Sequence, residues 1–181
     1  MKLILVRHGL AVEREEFAAD KKSEKKDDSL RPLVEKGKDR TLEMAQHLMN
    51  WVDEIDILVT SPYTRALQSA QILKKVLKPK NFFEAVELIP SAPPMAFSEW
   101  LRRHASLKTT VVAVGHEPQL DTFASWALSG QNESFIRLKK SGALGLEVES
   151  FTDIRPQTVE IRFLIHPLMF NEKAKTTKGR L

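Results

Sequence analysis

The 181-residue sequence contains no cysteine. That absence excludes a disulfide scaffold, a thiolate zinc site and a cysteine nucleophile. Long apolar runs are missing too. The N-terminal segment offers four apolar residues, Leu3-Ile4-Leu5-Val6, before Arg7, where a spanning helix needs about 20 and a signal sequence needs a longer core. No membrane segment is expected, and cytoplasm is the expected location. Aromatic residues are scarce at 7%. Trp51, Trp100 and Trp126 have no spacing suited to stacking bases and read as core or helix-edge anchors. Neither the phosphate-loop glycine–lysine pattern nor the dinucleotide glycine pattern occurs.

What is present describes an ordinary soluble chain, 42% hydrophobic and 29% charged. Its net charge of +4 is concentrated at one end: Lys173, Lys175, Lys178 and Arg180 against Glu172 give residues 171–181 a net +3. The body is nearly neutral, so no nucleic-acid partner is expected. The sequence therefore reads as a single domain over residues 1–170 followed by a basic, mobile tail. A monomer is the expected state.

Leu3 to Val6 reads as a buried strand that ends at Arg7-His8-Gly9. From Glu13 to Asp28, twelve of sixteen residues are charged, which reads as a surface loop or frayed helix, with a lid over Arg7 and His8 as the functional alternative. A helix is expected from Gly37 to Asn50 and a strand at Ile57–Thr60. A second helix is expected to start at Ser61-Pro62 and continue to Leu77. A strand from Phe82 to Leu88, a helix from Met95 to His104 and a strand from Thr109 to Val114 follow. The next helix opens after Gly115-His116-Glu117-Pro118 and stops at Gly130. Alternation predicts late strands at Phe135–Leu138, Ala143–Val148 and Val159–Ile165. Repeated strand–helix units followed by late strands predict an α/β fold: a three-layer α/β/α sandwich with a mostly parallel mixed central sheet and an antiparallel edge.

Three strand ends carry the polar residues: Arg7-His8-Gly9, Thr60-Ser61-Pro62-Tyr63-Thr64-Arg65 and Gly115-His116. Ligands of open α/β sheets gather outside the carboxyl ends of the strands, so two histidines and two arginines would converge there. Guanidinium forks suit phosphate oxygens. Glu117 is the one carboxylate in these turns, too few for a two-metal hydrolase. A histidine nucleophile that carries a phosphoryl group is then the economical chemistry. A strand-end histidine that is merely hydrogen-bonded, or an anion site without catalysis, fits the same residues.

Leu5-Val6-Arg7-His8-Gly9-Leu10-Ala11, Arg31-Pro32-Leu33 with Gly37, Thr60 through Ala70 and Val114-Gly115-His116-Glu117-Pro118 stand in order along the chain. In this they resemble the histidine phosphatase superfamily, and within it the SixA-like phosphohistidine phosphatases. The resemblance implies a phosphoglycerate-mutase-like fold and a metal-independent phosphatase with no cofactor. It implies that His8 is phosphorylated, that Arg7 and Arg65 clamp the phosphoryl group and that His116 completes the pocket. Ser61 either orients the site or caps its helix. Arg31 lies at the pocket rim or forms an exposed salt bridge. Relatives place a proton-donating acid near the exit of the third strand, where this chain offers Glu84 and Glu87; a solvated strand-edge role suits either as well. A phosphohistidine-bearing protein is the expected substrate, since its imidazole leaves easily without a strong acid and the pocket has little to cover it. A small phosphorylated substrate such as a sugar phosphate is the alternative. A phosphoprotein-binding module without catalysis is the remaining one.

Overall fold

The computed structural model describes residues 1–19, 27–106 and 108–170. One six-stranded sheet organises them: β1 (Lys2–Arg7), β2 (Ile57–Thr60), β3 (Asn81–Glu84), β4 (Thr110–Gly115), β5 (Ala143–Val148) and β6 (Val159–Ile165). Their spatial order is β3-β2-β4-β1-β5-β6. The pairs β1–β4, β2–β4 and β2–β3 are parallel, while β1–β5 and β5–β6 are antiparallel. The mixed sheet with an antiparallel edge is thus as the sequence predicts.

Helices cover both faces, because β1, β2 and β4 are apolar on both sides. Leu3, Leu5, Val59, Val111 and Ala113 face α4 (Pro94–His104) and α5 (Gln119–Ser129), where Phe97, Trp100 and Phe123 fill the layer. Ile4, Val6, Leu58, Val112 and Val114 face α2 (Glu35–Leu48) and α3 (Thr64–Leu77), against Met44, Leu48, Ala66, Ala70 and Leu73. Burying alternate residues of one strand in separate layers requires the continuous apolar runs seen in the sequence. No helix among the described residues is long and apolar enough to cross a membrane.

Three local expectations are corrected. The strand expected over Phe82–Leu88 stops at Glu84, since β2 is four residues long and its last partner pair is Thr60 with Glu84. Beyond that ladder, Val86–Leu88 turn as a 3₁₀ segment that buries Leu88. The helix expected from Ser61 begins at Thr64, because the Ser61 N–H still bonds to Val114 of the neighbouring strand at 2.9 Å. Phe135–Leu138 is not a strand. Ile136 and Leu138 are buried and Phe135 and Arg137 exposed, which is the alternation of a strand. Its amides instead bond to side chains of α5: Phe135 N–H to Ser125 Oγ at 3.1 Å and Leu138 N–H to Asp121 Oδ1 at 3.3 Å.

Within the charged stretch, Arg14–Ala19 form a short helix, α1, with no buried residue, and Asp28–Leu30 form a 3₁₀ turn. The middle of the expected loop, residues 20–26, and the expected tail, 171–181, lie outside the described residues.

Candidate active site

Register places the site. Arg7 is opposite Gly115 and Thr60 opposite Val114, so His8, His116 and Ser61 follow directly after paired strand ends. Backbone bonds lock the first of them: His8 N–H donates to Gly115 at 3.1 Å, and Ser141 N–H donates to the His8 carbonyl at 3.1 Å. Gly9 continues into a passage too narrow for a side chain, since a Cβ there would sit 2.7 Å from Gly37 O and from Thr41 Oγ1. Gly37 is needed for the same reason, because its Cβ would collide with the Leu10 backbone. Ser69, one turn beyond Arg65 on α3, accepts from Gly9 N–H at 3.0 Å and donates to the Arg65 carbonyl at 2.7 Å. It ties the helix carrying Arg65 to the loop carrying His8.

The two imidazoles lie with ring centroids 4.8 Å apart, and both are buried. His8 Nδ1 is 2.7 Å from the Gly9 carbonyl. A carbonyl oxygen only accepts, so Nδ1 carries the proton and Nε2 keeps its lone pair. That nitrogen faces Arg65, whose Nε–H points at it from 3.3 Å. Burial lowers the His8 pKa to about 3; the Gly9 bond opposes the shift and the charges of Arg65 and Arg7 add to it. His116 is lowered to about 2, by burial first and then by its cationic surroundings. Both rings are therefore neutral near pH 7, as a nitrogen nucleophile requires.

The other residues singled out in the sequence take different positions. Arg65 is 3% exposed and donates from its two terminal nitrogens to Asp28, to the backbone oxygen at 2.7 Å and to Oδ2 at 3.0 Å. Arg7 donates to the Leu138 carbonyl at 2.7 Å and pairs with Glu117. Ser61 Oγ bonds to His116 Nε2 at 2.9 Å and accepts from Tyr63 N–H at 3.3 Å. It lies on the site histidine and does not cap α3, whose cap position is Tyr63. Arg31 is buried, not exposed; its Nε reaches Asp28 Oδ1 at 3.1 Å and its terminal nitrogen reaches the Val12 carbonyl at 2.7 Å.

The two glutamates near β3 are not drawn into this cluster. Glu84 ends an exposed edge strand, and Glu87 is bound to Arg103 of α4 at 3.0 Å. Neither shares a hydrogen bond or ion pair with the histidines or with Arg7, Arg31 or Arg65. Among the described residues, the carboxylates in contact with the site are Asp28 and Glu117. Glu117 adjoins His116 in sequence, which was its signal. Asp28 had none beyond standing three residues before Arg31 in a run of charges. Among the described residues, no group of three or more His, Cys, Asp or Glu could hold a metal ion.

The model of the histidine phosphatase superfamily, branch 1, matches residues 3–88. An uncharacterized protein of Picosynechococcus sp. is 36% identical over 149 residues, covering 81% of this chain and 84% of its own. The chain belongs to the histidine phosphatase superfamily. Its fold is that of solved phosphatases. The protein histidine phosphatase SixA, solved with tungstate, superposes with a TM-score of 0.74 at 22% identity, covering 93% of this chain and 99% of that one. A phosphoserine phosphatase mutant of Entamoeba histolytica, solved with phosphoserine, gives 0.63 at 15% identity, covering 90% and 95%. For a histidine phosphatase, a neutral nitrogen beside fixed guanidinium donors is the arrangement that phosphoryl transfer needs.

The buried histidines also set a stability signature. A histidine held neutral contributes stability that is complete above its unfolded pKa and is lost as pH falls toward its folded value. His8 and His116, lowered from 6.5 to about 3 and about 2, act this way. Asp121 opposes them, because burial raises it from 3.8 to about 6 and the folded state binds its proton. Between about pH 4 and 6 the unfolded chain thus binds close to one proton more, and stability falls by about 1.4 kcal/mol per pH unit on acidification. Urea midpoints for the wild type and for His8→Ala between pH 6 and 4.5 check this. The variant should show a nearly flat profile, whereas an unchanged slope would mean that His8 titrates alike in both states.

Proposed function

We propose that the protein is a cytoplasmic, cofactor-free phosphohistidine phosphatase that removes the phosphoryl group from histidine on a protein through a covalent intermediate on His8. The observation that carries the reading is the state of that ring: its Nδ1 proton is fixed on the Gly9 carbonyl and its unprotonated Nε2 opens toward Arg65. In this reading Nε2 attacks phosphorus in line, the bond from phosphorus to the substrate imidazole breaks, and its electron pair leaves with that imidazole, which takes up a proton. Arg7, Arg65 and His116 stabilise the charge on the phosphoryl oxygens. Water then attacks phospho-His8, and phosphate departs as Nε2 recovers its lone pair.

The carboxylates support the substrate class. An alkoxide leaving group needs an acid in the transition state; Glu84 and Glu87 are placed elsewhere, and Glu117 is tied up in its ion pair with Arg7. Asp28 resists protonation: partial burial opposes its ionisation, but Arg65 and Arg31 outweigh that and lower its pKa. An imidazole leaving group makes less demand on an acid.

The test compares turnover efficiency on a phosphohistidine-bearing protein and on common sugar phosphates, in the presence of EDTA and with His8→Ala as the blank. The phosphoprotein should be preferred by at least about 10-fold, a difference of about 1.4 kcal/mol in transition-state binding. Preference for a sugar phosphate would move the assignment to a metabolite phosphatase. Loss of all activity in EDTA, restored by a divalent ion, would contradict the mechanism.

A further inference from the structure

We propose that Asp28 is a positioning residue for phosphoryl transfer, holding Arg65 against the nucleophile and tying it to Arg31 as one unit. The inference rests on the phosphatase reading above. An arginine side chain is long and flexible, and its value in a transition state depends on where its fork is fixed. Asp28 fixes Arg65 at two points, its own backbone oxygen on one terminal nitrogen at 2.7 Å and Oδ2 on the other at 3.0 Å. With both ends of the fork held, Nε–H is left directed at His8 Nε2, 3.3 Å away.

The second carboxylate oxygen performs the same task for Arg31, at 3.1 Å. Arg31 and Arg65 are both buried, at 7% and 3% exposure. Two like charges so placed repel unless an anion stands between them, and Asp28 is that anion. Arg14 also reaches Oδ1 at 3.1 Å, but its side chain is 73% exposed, so water screens that pair and it adds little. Asp28 touches neither histidine. It acts through the arginines, and it joins the end of the charged 13–28 stretch to the nucleophile through a single intervening side chain.

The experiment is a double-mutant cycle on the full-length protein. Asp28→Ala and Asp28→Asn are made in the wild type and in Arg65→Ala, and hydrolysis of an aryl phosphate is followed under single-turnover conditions with enzyme in excess. Inorganic phosphate binding is measured by calorimetry in parallel. In the wild type, Asp28→Ala should lower the chemical rate about 10- to 100-fold, with Asp28→Asn intermediate because, beyond the backbone oxygen common to both variants, it keeps one side-chain oxygen. In Arg65→Ala the same changes should cost less than about 3-fold, since the guanidinium through which Asp28 reaches His8 is gone and only its hold on Arg31 remains. Asp28→Asn supplies the result if Asp28→Ala does not fold. Equal losses in both backgrounds would indicate a purely structural role, and unchanged rates in both variants would remove Asp28 from the mechanism. A wild type that neither binds phosphate nor hydrolyses the ester would defeat the phosphatase reading itself, an outcome distinct from either of these.

Discussion

Arg65→Ala is expected to lower turnover of an aryl phosphate by about 100- to 1,000-fold, the usual cost of removing one fixed donor from a developing anion. The expectation is large because this guanidinium is almost fully buried, and its Nε–H meets the unprotonated nitrogen of His8. In the proposed mechanism, as phosphorus approaches that nitrogen, the donor has only to pass from the lone pair to a phosphoryl oxygen. Arg65→Lys should recover little, since an ammonium cannot hold Asp28 at two points and also face His8. The fold should survive both changes. Ser69 keeps α3 on the His8 loop through Gly9, and Arg31 still neutralises Asp28. Circular dichroism and melting curves beside the kinetics separate the effects. A variant that melts like the wild type and turns over normally would remove Arg65 from the phosphoryl site.

Much of this site could be read from the chain, for a reason specific to parallel sheets. β1, β2 and β4 are buried on both faces, so each is built on an unbroken apolar run, and the change to polar residues marks its carboxyl end. His8, Ser61 and His116 announce themselves in that way, and the sheet order then brings their strands side by side. Less local features could not be read. Phe135–Leu138 alternates in burial as a strand does, yet Ser125 and Asp121 of α5 supply its partners in place of a neighbouring strand. The alternation records which side chains are buried, not what the amides bond to. Ser61 looked suited to capping a helix, but an extra ladder bond delays the helix and leaves its hydroxyl for His116. Asp28 was one of seven acids among sixteen residues. Only the folded chain distinguishes it, by bringing Arg65 from α3 and Arg31 from the following loop onto its two oxygens.

His8→Ala should have the largest effect, a loss of at least about 10,000-fold, because in the proposed mechanism it removes the atom that forms the covalent bond. His116 cannot substitute for it. Its Nε2 is engaged with Ser61 Oγ at 2.9 Å, and its buried Nδ1 has no hydrogen-bond partner among the described residues. The loss should be confined to chemistry, with phosphate still held by Arg7 and Arg65. The most direct measurement is to trap the phosphoenzyme: mix enzyme and substrate for milliseconds, denature in alkali to preserve the acid-labile phosphorus–nitrogen bond, and map the phosphate by mass spectrometry. The account predicts phosphate on His8 that appears before product release and is missing from His8→Ala. Phosphate on His116, or a His8→Ala enzyme that turns over without any phosphorylated histidine, would contradict it.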